Sequence, residues 1–315
     1  MTIPSPRAVL FSGQGAQKVG MGADLVEKSP SAQALYELAD NLLGWPVSDY
    51  SFHGPEETLR ETRVCQPALY CHGLALLAAY QDITGEPLRF EAAAGLSLGE
   101  YTAHAAAGTF TFQSGLQLVA ERGRLMQEAC NATVGTMTTL LGATPEQAAE
   151  IASACNVDVA NLNCPGQVVL AGGMREMEAV AEVAKARGVR KVVPLKVAGA
   201  YHSRLMASAA TGLAPMLTAT HLEAPVVPVV ANYTAEITNG ADQILRALDS
   251  QVCGTVRWEE SIRKLISLGV TEFVECGPGG VLAGLMKRID PNVRCVSLET
   301  HDDVVKNADE LKKKS

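Results

Sequence analysis

Apolar positions along this chain come in short runs separated by polar, glycine-rich turns, and their period changes from run to run. Residues 9–11 (Val-Leu-Phe) form a continuous apolar triplet, the pattern of a buried strand, and Ser12-Gly13-Gln14-Gly15 supplies a turn behind it. Residues 31–44 and 67–81 carry apolar positions at helical spacing, and Pro67 is read as a first-turn residue opening the second helix. Residues 90–94 read as a further strand, followed by a helix-like run over 100–107. Thr111 is placed to cap a long helix that runs through Met126 or Ala129 and ends near Asn131 and Gly135.

Beyond Gly135 the pattern changes. Strand-like 136–141, helical 144–154 and strand-like 157–162 lead to a Pro165-Gly166 turn, then strand 167–170, helix 174–187 and strand 190–197. That order, β-α-β-β-α-β, is the split ferredoxin-like unit, which can bury a small core of its own. The chain then gives helix (203–217), strand (226–230), a further helix, a final strand over 272–275, and a last helix entered through Cys276-Gly277-Pro278-Gly279-Gly280. The expected fold is therefore a large α/β subdomain, α/β-hydrolase-like with a parallel-rich sheet, built from 1–134 and 198–315. A small ferredoxin-like subdomain, 135–197, is inserted into it. A lysine-rich tail over 312–314 is the only biased tract.

Composition narrows the class. With 315 residues, 47% apolar and 19% charged, the chain can bury a sizeable core. A formal net charge of −8 argues against a general attraction to nucleic acid or an anionic membrane. The eight cysteines are scattered, with no C-x-x-C and no zinc spacing, which reads as free thiols in a reducing compartment. Residues 1–7 show no secretory signal pattern and no run approaches a membrane span, so cytoplasm is the expected location, with an organelle form also open.

The chemistry begins at Gly95-Leu96-Ser97-Leu98-Gly99. A serine between a strand and a helix, flanked by glycines, stands on a sharp turn with its hydroxyl exposed, and the helix start behind it favours an oxyanion. This points to acyl transfer through a covalent ester. Such a nucleophile needs a base, and His202 in Gly199-Ala200-Tyr201-His202-Ser203 is the best placed: a helix N-terminus there would keep its ring neutral. A capping or core histidine is the plainer alternative on local pattern alone. His104, two helical turns beyond Ser97, reads as structural. Arg122 has Leu118, Val119, Leu125 and Met126 as its neighbours one turn away, so it lies on an apolar stripe, whereas Arg124 belongs to a solvated face. A buried arginine needs an anion: either a structural carboxylate or a substrate carboxylate held bidentately. Gly13-Gln14-Gly15 lacks the third glycine of a dinucleotide loop and suits an exposed N–H aimed at a developing oxyanion.

In order and spacing, FSGQGAQKVGMG (11–22), QPALY (66–70), GLSLGEY (95–101), ERGRLMQEA (121–129), ANLNCPGQVVLAGG (160–173), GAYHSRLM (199–206) and ECGPGGVL (275–282) resemble the malonyl-CoA:acyl carrier protein transacylase family, over about residues 9–287. The resemblance implies that Ser97 is the acylated nucleophile and His202 its base, oriented by the backbone carbonyl of Gln251. It implies an oxyanion hole from the N–H groups of Gln14 and Leu98, and an Arg122 clamp on the malonyl carboxylate. Asn161 falls in the motif lining the site. Tyr201 stands where phenylalanine is common, at a position tied to acyl selectivity, and Leu96 stands where histidine is common. The activity implied is a ping-pong transfer from malonyl-CoA to the phosphopantetheine thiol of a holo acyl carrier protein, supplying fatty acid synthesis, with no cofactor or metal. A monomer is expected, meeting the acidic carrier transiently through a basic patch of Arg187, Arg190, Lys191, Lys196 and Arg204. A trans-acting acyltransferase or an acyl hydrolase of a polyketide assembly line is the alternative.

Overall fold

Strand β1 (Arg7–Phe11) is buried along its whole length, and its alternate residues enter different cores. Val9 and Phe11 join the larger apolar cluster, while Ala8 and Leu10 join a second one on the other face of the sheet. A strand covered on both faces belongs at the centre of a parallel sheet, and β1 takes that position. The computed structural model describes residues 6–313. Met1–Ser5, where the N-terminal reading falls, and Lys314, the end of the lysine-rich tail, lie outside the described residues.

The remaining strands are β2 (Ala92–Gly95), β3 (Gly135–Leu141), β4 (Asp158–Cys164), β5 (Gln167–Gly173), β6 (Lys191–Pro194), β7 (Val229–Val230), β8 (Ile237–Thr238), β9 (Glu272–Cys276) and β10 (Arg294–Leu298). A six-stranded sheet has the order β10-β9-β1-β2-β7-β8, parallel except for the β7–β8 pair. Phe11 is in register with Gly95 of β2 on one side and Cys276 of β9 on the other. The carboxyl ends of three strands therefore open together at Ser12, Leu96 and Gly277. In an open α/β sheet that edge, where the chain winds away to both sides, is where ligands bind.

A second, four-stranded sheet has the order β4-β5-β3-β6 with every pair antiparallel, the ferredoxin-like arrangement. Helix Pro145–Cys155 opens with a full capping box between Thr144 and Gln147. It packs Ile151 into a small core with Leu140, Leu170 and Val180. The two sheets are joined through Val256, whose N–H donates to Ala160 and whose carbonyl accepts from Leu162 on β4.

Several elements differ from the sequence reading. The helix expected to open at Pro67 runs from Thr62 to Thr84 with Pro67 inside it. Pro67 forgoes one helical hydrogen bond, and burial of every residue from Val64 to Gly73 outweighs that loss. The expected helix 174–187 is broken at Ala179 into Met174–Glu178 and Val180–Ala186. The strand expected over 272–275 is not the last. Edge strand β10 follows it, and so does the helix His301–Lys313, whose apolar stripe is only Val304, Ala308 and Leu311. Among the described residues no helix is long and apolar enough to cross a membrane, and all eight cysteines are free.

Candidate active site

Ser97 closes the two-residue turn between β2 and the helix Leu98–Ala106, with φ 55 and ψ −105. A non-glycine residue in that region is strained and is held there by its surroundings. The turn is as tight as backbones allow: a Cβ on Gly95 would come within 2.0 Å of the Gly99 carbonyl, and one on Gly99 within 2.2 Å of the Phe11 oxygen. Two side chains grip the Ser97 peptide. Asn232 Oδ1 accepts the Ser97 N–H at 2.6 Å, and Gln251 Nε2 donates to the Ser97 carbonyl at 2.9 Å.

His202 Nε2 lies 2.7 Å from Ser97 Oγ, and His202 Nδ1 lies 2.9 Å from the Gln251 carbonyl oxygen. A carbonyl only accepts, so Nδ1 carries the proton and the Nε2 lone pair faces the serine hydroxyl. Burial, then the charge of Arg122, pushes the His202 ring down to about 4, so it is neutral at pH 7. Strand β6 ends at Pro194, well before His202, and a 3-10 turn, Arg204–Met206, opens two residues beyond it; burial and the Arg122 charge lower the ring's pKa.

Arg122 projects from the helix Phe112–Ala132 into the same space and is 1% exposed. Its guanidinium donates to Ser97 Oγ at 3.0 Å, Gln251 Oε1 at 3.0 Å and Gln66 Oε1 at 2.6 Å, and sits 5.4 Å from the Tyr101 ring centre. Among the described residues no carboxylate is in ion-pair contact with it. Its partners are neutral, which leaves a buried cation facing the Ser97 hydroxyl.

The acyl transferase domain family matches residues 9–298 of this sequence. The chain belongs to that family. Among curated relatives of this acyl transferase, the malonyl CoA-acyl carrier protein transacylase of Bacillus subtilis (strain 168) is 38% identical over 302 residues, covering 94% of each chain. An acyl-carrier-protein-S-malonyltransferase structure from Bartonella henselae superposes with TM-score 0.92 at 33% identity, over 98% of this chain and 99% of that one. A malonyl-transacylase solved in complex with a type II PKS acyl-carrier protein gives TM-score 0.91 at 35% identity, over 97% of this chain and all (100%) of that one.

Ser97, Arg122, His202, Gln14, Asn161 and Tyr201 all line one cavity of about 670 Å³ in this acyl transferase, bounded on one side by Met137, Val169 and Lys196 of the ferredoxin-like unit and its exit. Leu98 buries its side chain, and its N–H is the first of a helix, with no acceptor one turn back. Gln14 Nε2 donates to Thr62 Oγ1 at 3.0 Å, and Thr62 Oγ1 lies 2.5 Å from the Tyr201 hydroxyl. His104 is apart from all of this, 3.0 Å from Thr109 Oγ1 through Nδ1. The sequence reading missed Gln66, Asn232 and Glu100. For Glu100 a signal existed: it is the only acidic residue of the helix Leu98–Ala106, which holds no lysine or arginine to pair with it.

Proposed function

We propose that this chain transfers the malonyl group of malonyl-CoA to the phosphopantetheine thiol of an acyl carrier protein, through an ester on Ser97. Ser97 Oγ attacks the thioester carbonyl while its proton passes to His202 Nε2. The Gln251 carbonyl on Nδ1 stabilises the imidazolium that forms. The oxyanion of the tetrahedral intermediate is met by the N–H groups of Leu98 and Gln14. The C–S bond then breaks, and the departing CoA sulfur takes the proton back from His202. The carrier thiol repeats these steps in reverse on the malonyl ester. Arg122 holds the free carboxylate of the malonyl group.

One observation carries the substrate: a cation 1% exposed, 3.0 Å from the nucleophilic oxygen, with amides and no carboxylate as protein partners. A buried charge with no carboxylate in contact is costly, and an anionic acyl group relieves that cost. The transacylase and S-malonyltransferase relatives agree with this reading. Asn161 and Tyr201 shape the acyl end of the cavity. The carrier docks on basic surface beside Lys196, which lines the cavity, with the exposed Arg190 and Lys191 close to it in the chain. Arg204 is less available, since Asp158 and Asn156 hold it. The protein acts as a monomer in the cytoplasm and supplies fatty acid synthesis. The relative solved with a polyketide carrier supports a second reading, the same transfer to a carrier of that class.

Intact mass after incubation with malonyl-CoA tests the reading. A malonyl adduct on wild type, absent in Ser97→Ala and discharged by holo carrier protein, is the expected result. Discharge to water at the same rate with or without carrier would make the protein a hydrolase instead.

A further inference from the structure

Glu100 is wholly buried one turn beyond the nucleophile, and nothing in the transfer described above uses it. A single oxygen of its carboxyl, Oε2, accepts from the Asn232 backbone N–H at 2.9 Å and from Gln251 Nε2 at 2.7 Å. Those two residues are the ones that hold the Ser97 peptide, Asn232 at its N–H and Gln251 at its carbonyl. Gln251 also accepts from Arg122 through Oε1 and faces His202 Nδ1 through its main-chain oxygen. The other oxygen, Oε1, has no hydrogen-bond partner.

One carboxylate oxygen thus stands behind the nucleophile, its base and the cation beside it. The strained serine persists only if its neighbours over-determine it, and both neighbours are fixed at the same point. Gln251 illustrates the need: an amide free to turn end for end would present its NH2 to Arg122 and its oxygen to the Ser97 carbonyl. Arg122 and the Ser97 carbonyl already disfavour that orientation, and an acceptor at Oε2 strengthens the bias.

We propose that Glu100 is a positioning residue for acyl loading: its Oε2 locks Asn232 and Gln251 in the orientation that keeps Ser97 left-handed and its hydroxyl between His202 and Arg122. This rests on the acyl-transfer reading. The role asks for an acceptor rather than a charge. Burial pushes the Glu100 carboxyl up to about 7, so near neutrality a neutral group is already well represented there. In Glu100→Gln, the amide oxygen can keep both hydrogen bonds while its NH2 takes the place of the unpartnered Oε1.

The test uses the full chain carrying Glu100→Gln, Glu100→Asp or Glu100→Ala, with thermal melts to establish folding. Loading of Ser97 from malonyl-CoA and from acetyl-CoA is followed by intact mass. Losing the two hydrogen bonds accepted by Oε2 is expected to lower kcat about 10- to 100-fold for both thioesters in the Ala and Asp variants, with KM within about threefold. Glu100→Gln is expected to stay within about threefold of wild type, a rescue that depends on hydrogen bonding alone. Wild-type kcat in Glu100→Ala, or a folded Glu100→Gln as slow as Glu100→Ala, overturns the proposal. Should Glu100→Ala fail to fold, Glu100→Asp carries the comparison, because its shorter side chain cannot reach both donors. A fluorophosphonate that labels Ser97 is run in parallel. If wild type takes no malonyl group, the proposed substrate falls, and the variants' labelling rates still decide the role of Glu100.

Discussion

Replacing Arg122 with alanine is expected to erase the preference for malonyl over acetyl while leaving the nucleophile working. Arg122 can offer a substrate carboxylate two charge-assisted hydrogen bonds, each about 1.5–3 kcal/mol, and an acetyl group uses neither. The guanidinium already donates to Gln66, Gln251 and Ser97, so part of that gain replaces bonds given up when the carboxylate enters. A net of about 3 kcal/mol is therefore reasonable, or roughly 100-fold in the ratio of kcat/KM values. The contact with Ser97 Oγ is lost for both substrates, and so cancels from the ratio. The assay is the initial rate of Ser97 acylation from malonyl-CoA and acetyl-CoA across concentration, for wild type and Arg122→Ala. A ratio moved by less than threefold, or two rates falling in parallel, would refute a role in choosing the acyl group. Arg122→Lys is not a repair, since a point charge lacks the planar fork.

The pH profile follows from His202. With its ring at about 4, the base is neutral and competent down to about pH 5, and kcat/KM for loading should fall tenfold per unit only below about 4. A limb near 6.5 would mean a solvated ring; Arg122→Ala removes a repelling charge and should move the limb to higher pH. Gln66→Glu would give Arg122 a carboxylate of its own. Malonyl loading should drop at least about tenfold, with acetyl loading nearly unchanged, and equal losses would argue against that cause. Gly95→Ala puts a Cβ within 2.0 Å of the Gly99 carbonyl and should cost about 4 kcal/mol or more. A calorimetric melt should show Tm lowered by about 6 °C or more, and an unchanged Tm would sink the steric argument.

Local pattern carried far enough to find the strand-to-helix turn at Ser97 and the capped helix that bears Arg122, because each depends on neighbours within one turn or one strand. The alternation of short strands and helices over β3 to β6 was equally plain. Edge strand β10 and the helix His301–Lys313 escaped because few of their residues face the core, which leaves a faint apolar stripe among charges. Pro67 misled for a different reason: tertiary burial outweighs a local helix breaker. Within the site, the contacts that matter cross the whole chain. Ser97 meets His202 over 105 positions, Arg122 meets Gln251 over 129, and Asn232 meets Ser97 over 135. No periodicity joins such residues, and only motifs matched as a set brought Ser97, Arg122, His202 and Gln251 into one hypothesis.

The choice of amides around Arg122 also has a physical logic. A carboxylate in contact would neutralise the guanidinium and compete with any anionic ligand, whereas water would weaken it through a high dielectric. Gln66, on the helix Thr62–Thr84, and Gln251, on the helix Ala241–Cys253, orient the cation without consuming its charge. The nearest compensation is Glu100, and it acts at one remove, through the Gln251 amide. Such an arrangement is less stable than a closed ion pair would be, and the difference is available to whichever anion binds. The unfavourable cation and the strained serine are thus supported by the same few buried polar groups, on helices fixed by the two apolar cores.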